Sequence, residues 1–319
     1  MQRLDSIRPV IQLDGVWKRY DSTTAVRGVS MQIQGGQLLG LIGPNGAGKT
    51  SLLKMIATLS KPDRGRLRVF GRDVRMAVGP IRQRLGYMPA EFGRMPDMTV
   101  FEYLSYFGAA SGVKRSERTR RINDVLELVD LLERRDSLVS AGSTGIKQRV
   151  LIAKTLVHDP DLLVLDEPAA GLDPRARIEI REVLKELNRL GKTIIVSSHI
   201  LADLEEICDT VAIMELGTLV AHGTVSELKA TLRKRNPRTA WRIRVEAKAV
   251  AQALELMTSL PALADQSSDD EGVSFTTEGR DANVALSALL QAGVRVLHFE
   301  EQGPKLEDVF MRQTEGTIL

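Results

Sequence analysis

The chain has 319 residues, 43% hydrophobic and 27% charged, with 44 basic and 41 acidic side chains and a formal net charge of +3. This is an ordinary globular composition whose length suggests two domains, and so mild a charge argues against a strong nucleic-acid field, so no direct nucleic-acid binding is expected. One cysteine, Cys208, excludes an internal disulfide, fits a reducing compartment and reads as a small buried hydrophobe rather than a reactive thiol.

The opening stretch "MQRLDSIRPVIQLDG" carries acids and has no apolar core, so it does not read as a signal peptide. No run approaches the ~18 apolar residues of a membrane span, so any membrane part is expected from another chain. "SMQIQGGQLLGLIG" predicts a strand, a Gly-Gly turn and a buried strand, and "KTSLLKMIATLS" a helix closed by Lys61-Pro62. Residues 98–139 read as helical with charged faces. Residues 146–200 alternate helix, strand, helix, strand, and their continuous apolar strands predict a mostly parallel sheet buried on both faces.

A domain boundary is expected near residue 235, dividing residues 1–235 from a small α+β domain over 236–319. The basic stretch "KATLRKRNPRTAWRIR" with Pro237 reads there as a solvated linker, the alternative being a lipid-facing or nucleic-acid patch. Beyond it, strands and helices alternate, and an extra strand at "ALADQS" would make a βαββαβ, ferredoxin-like unit.

"GPNGAGKT", residues 43–50, matches G-x-x-x-x-G-K-[ST] after a buried strand and at a helix start. The loop of Gly43, Pro44, Asn45, Gly46, Ala47 and Gly48 would cradle phosphates with its backbone N–H groups, its glycines free of Cβ interference, with Ser51 following in the helix. Lys49 would reach the β- and γ-phosphates, and Thr50 would ligate Mg²⁺. Next, "LLVLDEP" is an apolar strand ending in Asp166-Glu167. Ligands of parallel α/β sheets lie beyond the carboxyl ends of the strands, so Asp166 would support Mg²⁺ and Glu167 would orient or deprotonate a water. "TIIVSSHI" repeats the design and puts His199 where it would hydrogen-bond a γ-phosphate. His158, His222 and His298 lack such a context.

Together these motifs resemble the nucleotide-binding subunit of an ABC transporter over about residues 10–230: "GPNGAGKT" as Walker A, "LLVLDEP" as Walker B, "AGLDP" with Asp173 as the D-loop, and "SSHI" as the switch-histidine segment. The resemblance implies a P-loop ABC ATPase fold with a helical subdomain, and "GSTGIKQR" sits at its signature position. There Ser143 and Gly145 would close over ATP held by a second chain, so two chains would sandwich two ATP. Tyr20 matches the aromatic position that stacks on adenine, the competing reading being an edge-strand tyrosine. Two departures stand out: Thr144 inside the signature, and Ala90 in "GYMPAEFG" where the family usually has Gln, with Glu91 one place on. Ala90 cannot ligate Mg²⁺, so this loop is expected to contribute weakly to catalysis while still coupling to a membrane partner.

The tail "KLEDVFMRQTEG" resembles ATPase subunits of bacterial drug-resistance and ABC-2 exporters, and reads equally as an amphipathic helix burying Leu306, Val309 and Phe310. The resemblance implies an ATPase using ATP and Mg²⁺ that powers an exporter through a separate transmembrane permease, peripheral on the cytoplasmic face of the membrane. The alternative is a non-transport ABC-type ATPase acting on a macromolecular complex.

Overall fold

A computed structural model describes residues 9–90, 93, 97–235, 238–278 and 282–302. The chain divides into two compact units, the first reaching Val225 and the second beginning at Ser226. The division falls at the start of the helix that precedes residue 235, so that helix goes with the second unit.

In the first unit, strands β1 (Ile11–Tyr20), β2 (Thr23–Ile33), β4 (Arg64–Val69) and β5 (Arg72–Asp73) form an antiparallel sheet in the order β2-β1-β4-β5. A second sheet runs β10-β9-β3-β8-β7-β6, from β3 (Leu38–Ile42), β6 (Leu85–Met88), β7 (Leu162–Asp166), β8 (Thr193–Ser198), β9 (Thr210–Glu215) and β10 (Thr218–Thr224). Its pairs are parallel except the β9–β10 hairpin. β3, β7 and β8 are buried at every residue, as the apolar runs at their centres require. Helix α1 (Lys49–Ile56) joins both sheets in one core, in which Leu52, Leu53 and Ile56 pack with Ile11, Val29, Leu41 and Val164.

α1 stops short of the expected Lys61-Pro62. Thr58 takes a left-handed conformation, φ 61°, and the Leu59 and Thr58 N–H groups close back on the Lys54 and Met55 carbonyls. Glycine usually fills that position, so the sequence carried no stop signal there. Arg82, at the end of α2 (Val78–Arg82), holds the Thr58 hydroxyl and carbonyl.

The expected helical stretch holds α3 (Val100–Ala110), α4 (Arg115–Leu128) and a short 3₁₀ turn at Leu132–Arg134. A Thr99–Glu102 capping box starts α3. α5 (Thr144–Leu156), α6 (Pro174–Arg189) and α7 (Leu201–Ile207) complete this unit, and Asp173 caps α6 by accepting the Ala176 N–H at 3.0 Å.

The second unit begins with α8 (Val225–Arg235), followed by β11 (Arg238–Val245), α9 (Val250–Thr258), β12 (Leu263–Asp269), β13 (Gly272–Glu278), α10 (Asn283–Gln291) and β14 (Val296–Gln302). After α8 this is the βαββαβ order, in an antiparallel sheet arranged β12-β13-β11-β14. It has its own core around Ile243, Phe275, Met257 and Leu289. The basic stretch is therefore not a linker: among described residues it is the end of α8 and the interior strand β11. On β11 the arginines are paired: Arg238, Arg242 and Arg244 with Asp265, Asp269 and Glu271. Pro237, Glu91 and the tail with Leu306, Val309 and Phe310 lie outside the described residues.

Candidate functional site

The Walker A segment leaves the end of β3 and turns into α1. Two of its glycines are required by close backbone approach. A Cβ on Gly43 would lie 2.4 Å from the Met214 carbonyl oxygen, and one on Gly48, at φ +97°, would lie 2.2 Å from that of Ala25. The loop is thus clamped between β9 and β2, while Gly46 faces open space. A cleft of about 430 Å³ lies over it, lined by residues 44–51 of the loop and helix start, by Thr23, Thr24 and Ala25 of β2, and by Ala90 and Glu167.

Lys49 is buried, its Nζ donating to the Gly43 carbonyl at 2.6 Å and the Pro44 carbonyl at 3.2 Å, 3.9 Å from Glu167 Oε1. Burial pulls its pKa below the ordinary lysine value, against the charges of Glu167 and Asp166, which push it up.

Strands β7 and β8 run parallel with Asp166 opposite Ser197, which brings "DE" and "SSH" side by side. Ser197 Oγ donates to Asp166 Oδ1 at 2.6 Å and accepts the Glu167 N–H at 2.9 Å. Glu167 has a left-handed backbone, φ 52°, a costly conformation for a residue with a side chain. Its Oε2 is hydrogen-bonded to His199 Nδ1 at 2.8 Å. Asp166 is fully buried, and its Oδ2 has no hydrogen-bond partner among the described residues. A buried unsatisfied carboxylate oxygen, with Thr50 in the lining of the cleft, supplies oxygen donors of the kind a hard divalent cation takes.

Phosphate loop and Glu167 thus share one cleft, and Asp166, through Ser197, and His199 are tied to Glu167 without lining the cleft themselves. The chain belongs to the ATP-binding proteins of the ABC transporter family. The family profile described as ABC transporter matches residues 26–170, and one described as ATP-binding protein DrrA1-3-like, C-terminal domain, matches residues 223–314. A Nod factor export ATP-binding protein I of Burkholderia lata is 36% identical over 96% of this chain and 98% of its own length. The linearmycin resistance ATP-binding protein LnrL of Bacillus subtilis is 36% identical over 70% of this chain and 72% of its own. A solved ATP-binding subunit of an ABC transporter superposes with a TM-score of 0.65 at 30% identity, covering 71% of this chain and 95% of that one. The expected fold is borne out, and the activity is ATP hydrolysis of the ABC transporter type.

Other residues expected at the site of this ABC protein do not line the cleft. Ser143 caps α5, its Oγ accepting the Ile146 N–H at 3.4 Å, and neither it nor Gly145 lines the cleft of its own chain. A Cβ on Gly145 would meet only ordinary contacts, 3.8 Å to Leu172 and 3.9 Å to Ala176, so no described neighbour demands glycine there. Tyr20 ends β1 and pairs with Thr23 of β2, while the pairing of β1 with β4 stops at Trp17. Its ring is half-exposed beneath Lys18 Nζ, 5.2 Å from the centroid, beside the cleft rather than in its lining. His158 is half-buried against the Leu85 carbonyl, its pKa lowered mainly by desolvation, and His298 bonds Glu300.

Sequence reasoning missed Thr23, Thr24, Ala25, Ser197 and Gln148. The first three reach the cleft only because β2 packs beside the loop, and nothing in "DSTTAV" marks them. Ser197 was legible only as part of a polar strand end. Gln148, in α5, is buried with its Nε2 donating to the Glu167 and Pro168 carbonyls. No described helix is long and apolar enough to cross a membrane.

Proposed function

We propose that this chain is the motor subunit of an exporter, working as a dimer whose two cassettes enclose two ATP and drive a separate transmembrane permease from the cytoplasmic face of the membrane. The observation that carries the catalytic reading is the Glu167–His199 contact, 2.8 Å, beside the clamped phosphate loop. The export assignment draws on the names of the relatives, Nod factor export and linearmycin resistance.

In this reading the loop N–H groups and Lys49 bind the phosphates, and Tyr20 stacks on the adenine. Thr50 and Asp166 would hold Mg²⁺, which supplies charge neutralisation on the phosphate oxygens. Glu167 takes the proton from the attacking water as the bond between the γ-phosphorus and the bridging oxygen breaks, giving ADP and phosphate. His199 orients Glu167 through Nδ1 and turns Nε2 to the γ-phosphate. With Nδ1–H given to a carboxylate, Nε2 donates only in the doubly protonated ring. Ser143 and the N–H groups near Gly145 act in trans, which explains a glycine that its own chain does not require.

The test is Glu167→Gln. Loss of a general base costs roughly 10²–10⁴ in rate, and the variant should accumulate an ATP-bound dimer on size-exclusion chromatography; normal turnover refutes the base assignment. Affinity purification of the tagged chain from detergent-solubilised membranes should recover a multi-span membrane protein at near-equal stoichiometry. Recovery of soluble complexes alone replaces the export reading with the non-transport one.

A further inference from the structure

Gln148 is 1% exposed, so its amide is out of water, and both amide hydrogens go to one loop. Nε2 donates to the Glu167 carbonyl at 3.3 Å and to the Pro168 carbonyl, while Oε1 has no partner among the described residues. The amide is therefore oriented by those two carbonyls and by nothing else described. The loop needs such a donor. Pro168 has no N–H to offer, Glu167 sits in a left-handed conformation, and the described internal ties are the Ala170 N–H to the Glu167 carbonyl at 3.1 Å and the Leu172 N–H to the Ala169 carbonyl at 3.4 Å. Glu167 is thus held from two sides: its N–H by Ser197 of β8, its carbonyl by Gln148 of α5.

Ser143 is the N-cap of α5, and Gln148 lies in the N-terminal half of the same helix, five positions on, about 7.5 Å along the axis at 1.5 Å per residue. A helix of this kind moves as a unit, so a displacement of the Ser143 end reaches Gln148, and through it the backbone of Glu167. Gln148 does not line the cleft, so it has no contact through which to alter nucleotide binding directly.

We propose that Gln148 is a positioning residue that links the signature end of α5 to the catalytic carboxylate, so that Glu167 takes its working position only when Ser143 of the same chain has engaged the nucleotide of the second chain. Each chain then reports the closure of one site to the base of the other, which ties the two hydrolysis events together. This rests on the reading of Glu167 as base and Ser143 as the group acting in trans.

The experiment uses the full chain with Gln148→Met, which keeps length and removes the donor, and Gln148→Glu, which keeps shape and puts an acceptor beside two carbonyls. Each is measured alone and combined with Ser143→Ala, by phosphate release over a range of ATP concentrations. The expected result is a KM for ATP within about twofold of the parent, a kcat lowered about tenfold or more, and no further loss on adding Gln148→Met to Ser143→Ala. Unchanged kcat in Gln148→Met, or losses that multiply in the double variant, overturns the proposal. A second measurement leaves Gln148 intact: hydrogen exchange in the Glu167–Ala170 segment with ATP bound should rise in Ser143→Ala, although no described contact joins Ser143 to that segment. No change there also overturns the coupling. Glu167→Gln runs alongside. Normal turnover in that variant removes the base reading, whereas an inactive Glu167→Gln beside a fully active Gln148→Met removes the coupling alone.

Discussion

Ser197 makes the most demanding structural test of the site, because one hydroxyl serves both carboxylate residues. It is fully buried at the end of β8, donates to Asp166 Oδ1 at 2.6 Å and accepts the Glu167 N–H at 2.9 Å. Ser197→Ala deletes the first bond and orphans the second donor. Asp166 has no described partner for Oδ2, so the buried carboxylate would lose the hydrogen bond that offsets its desolvation. A hydrogen bond to a charged group contributes about 1.5–3 kcal/mol and an orphaned buried donor costs about 1–3 kcal/mol. Partial relief by water entering from the cleft brings the expected loss to about 2–4 kcal/mol. For a unit of this size each kcal/mol lowers Tm by roughly 2–4 °C, so the first unit should melt about 4–16 °C lower. The second unit has its own core, and its unfolding should not move. Scanning calorimetry reads both. Ser198→Ala is the control, since among the described residues that hydroxyl accepts the Ile200 N–H at 3.0 Å and touches neither carboxylate, and its effect should be the smaller. A Ser197→Ala protein melting within about 1 °C of the parent, or no more shifted than the control, would show that Ser197 does not hold the two carboxylate residues.

Three further outcomes are expected. Gly48→Ala forces a side chain into φ +97° and within 2.2 Å of the Ala25 oxygen; titration with a fluorescent ATP analogue should show affinity reduced about tenfold or more, the left-handed strain alone being about 1–2 kcal/mol, and unchanged affinity would refute the clamp. Tyr20→Ala should raise the KM for ATP more than it lowers kcat, and a pure kcat effect would move Tyr20 from adenine stacking to catalysis. Asp159 has its pKa lowered, first by the hydrogen bond from Lys192 and also by the nearby charges of Lys192 and Arg121. A depressed carboxylate stabilises the fold above its unfolded value and loses that contribution as pH falls through the folded one. The Tm gap between parent and Asp159→Asn should therefore be open at neutral pH and close below about pH 4; a gap that persists in acid contradicts the ion-pair origin.

Much of this protein was written in short-range pattern. The apolar runs "LLGLI", "LLVL" and "IIV" mark the three fully buried interior strands, because a strand covered on both faces is apolar on both, with polar residues only at its ends. The second unit's strand and helix order was equally readable from its alternations. The end of α1 was not, since Thr58 occupies a left-handed position that sequence reserves for glycine. Nor was the basic run at β11, whose arginines look unpaired until the sheet brings Asp265, Asp269 and Glu271 beside them.

The same division runs through the site. Residue types and spacing alone determined the phosphate loop, the carboxylate pair and the histidine, because each depends on a strand end or a helix start, and those are local. Tertiary structure alone decided that Ser197 spans Asp166 and Glu167, that β2 supplies a wall of the cleft, and that Gln148 reaches Glu167. These contacts join segments far apart in the chain, and register and packing, which no local pattern encodes, place them within hydrogen-bond reach.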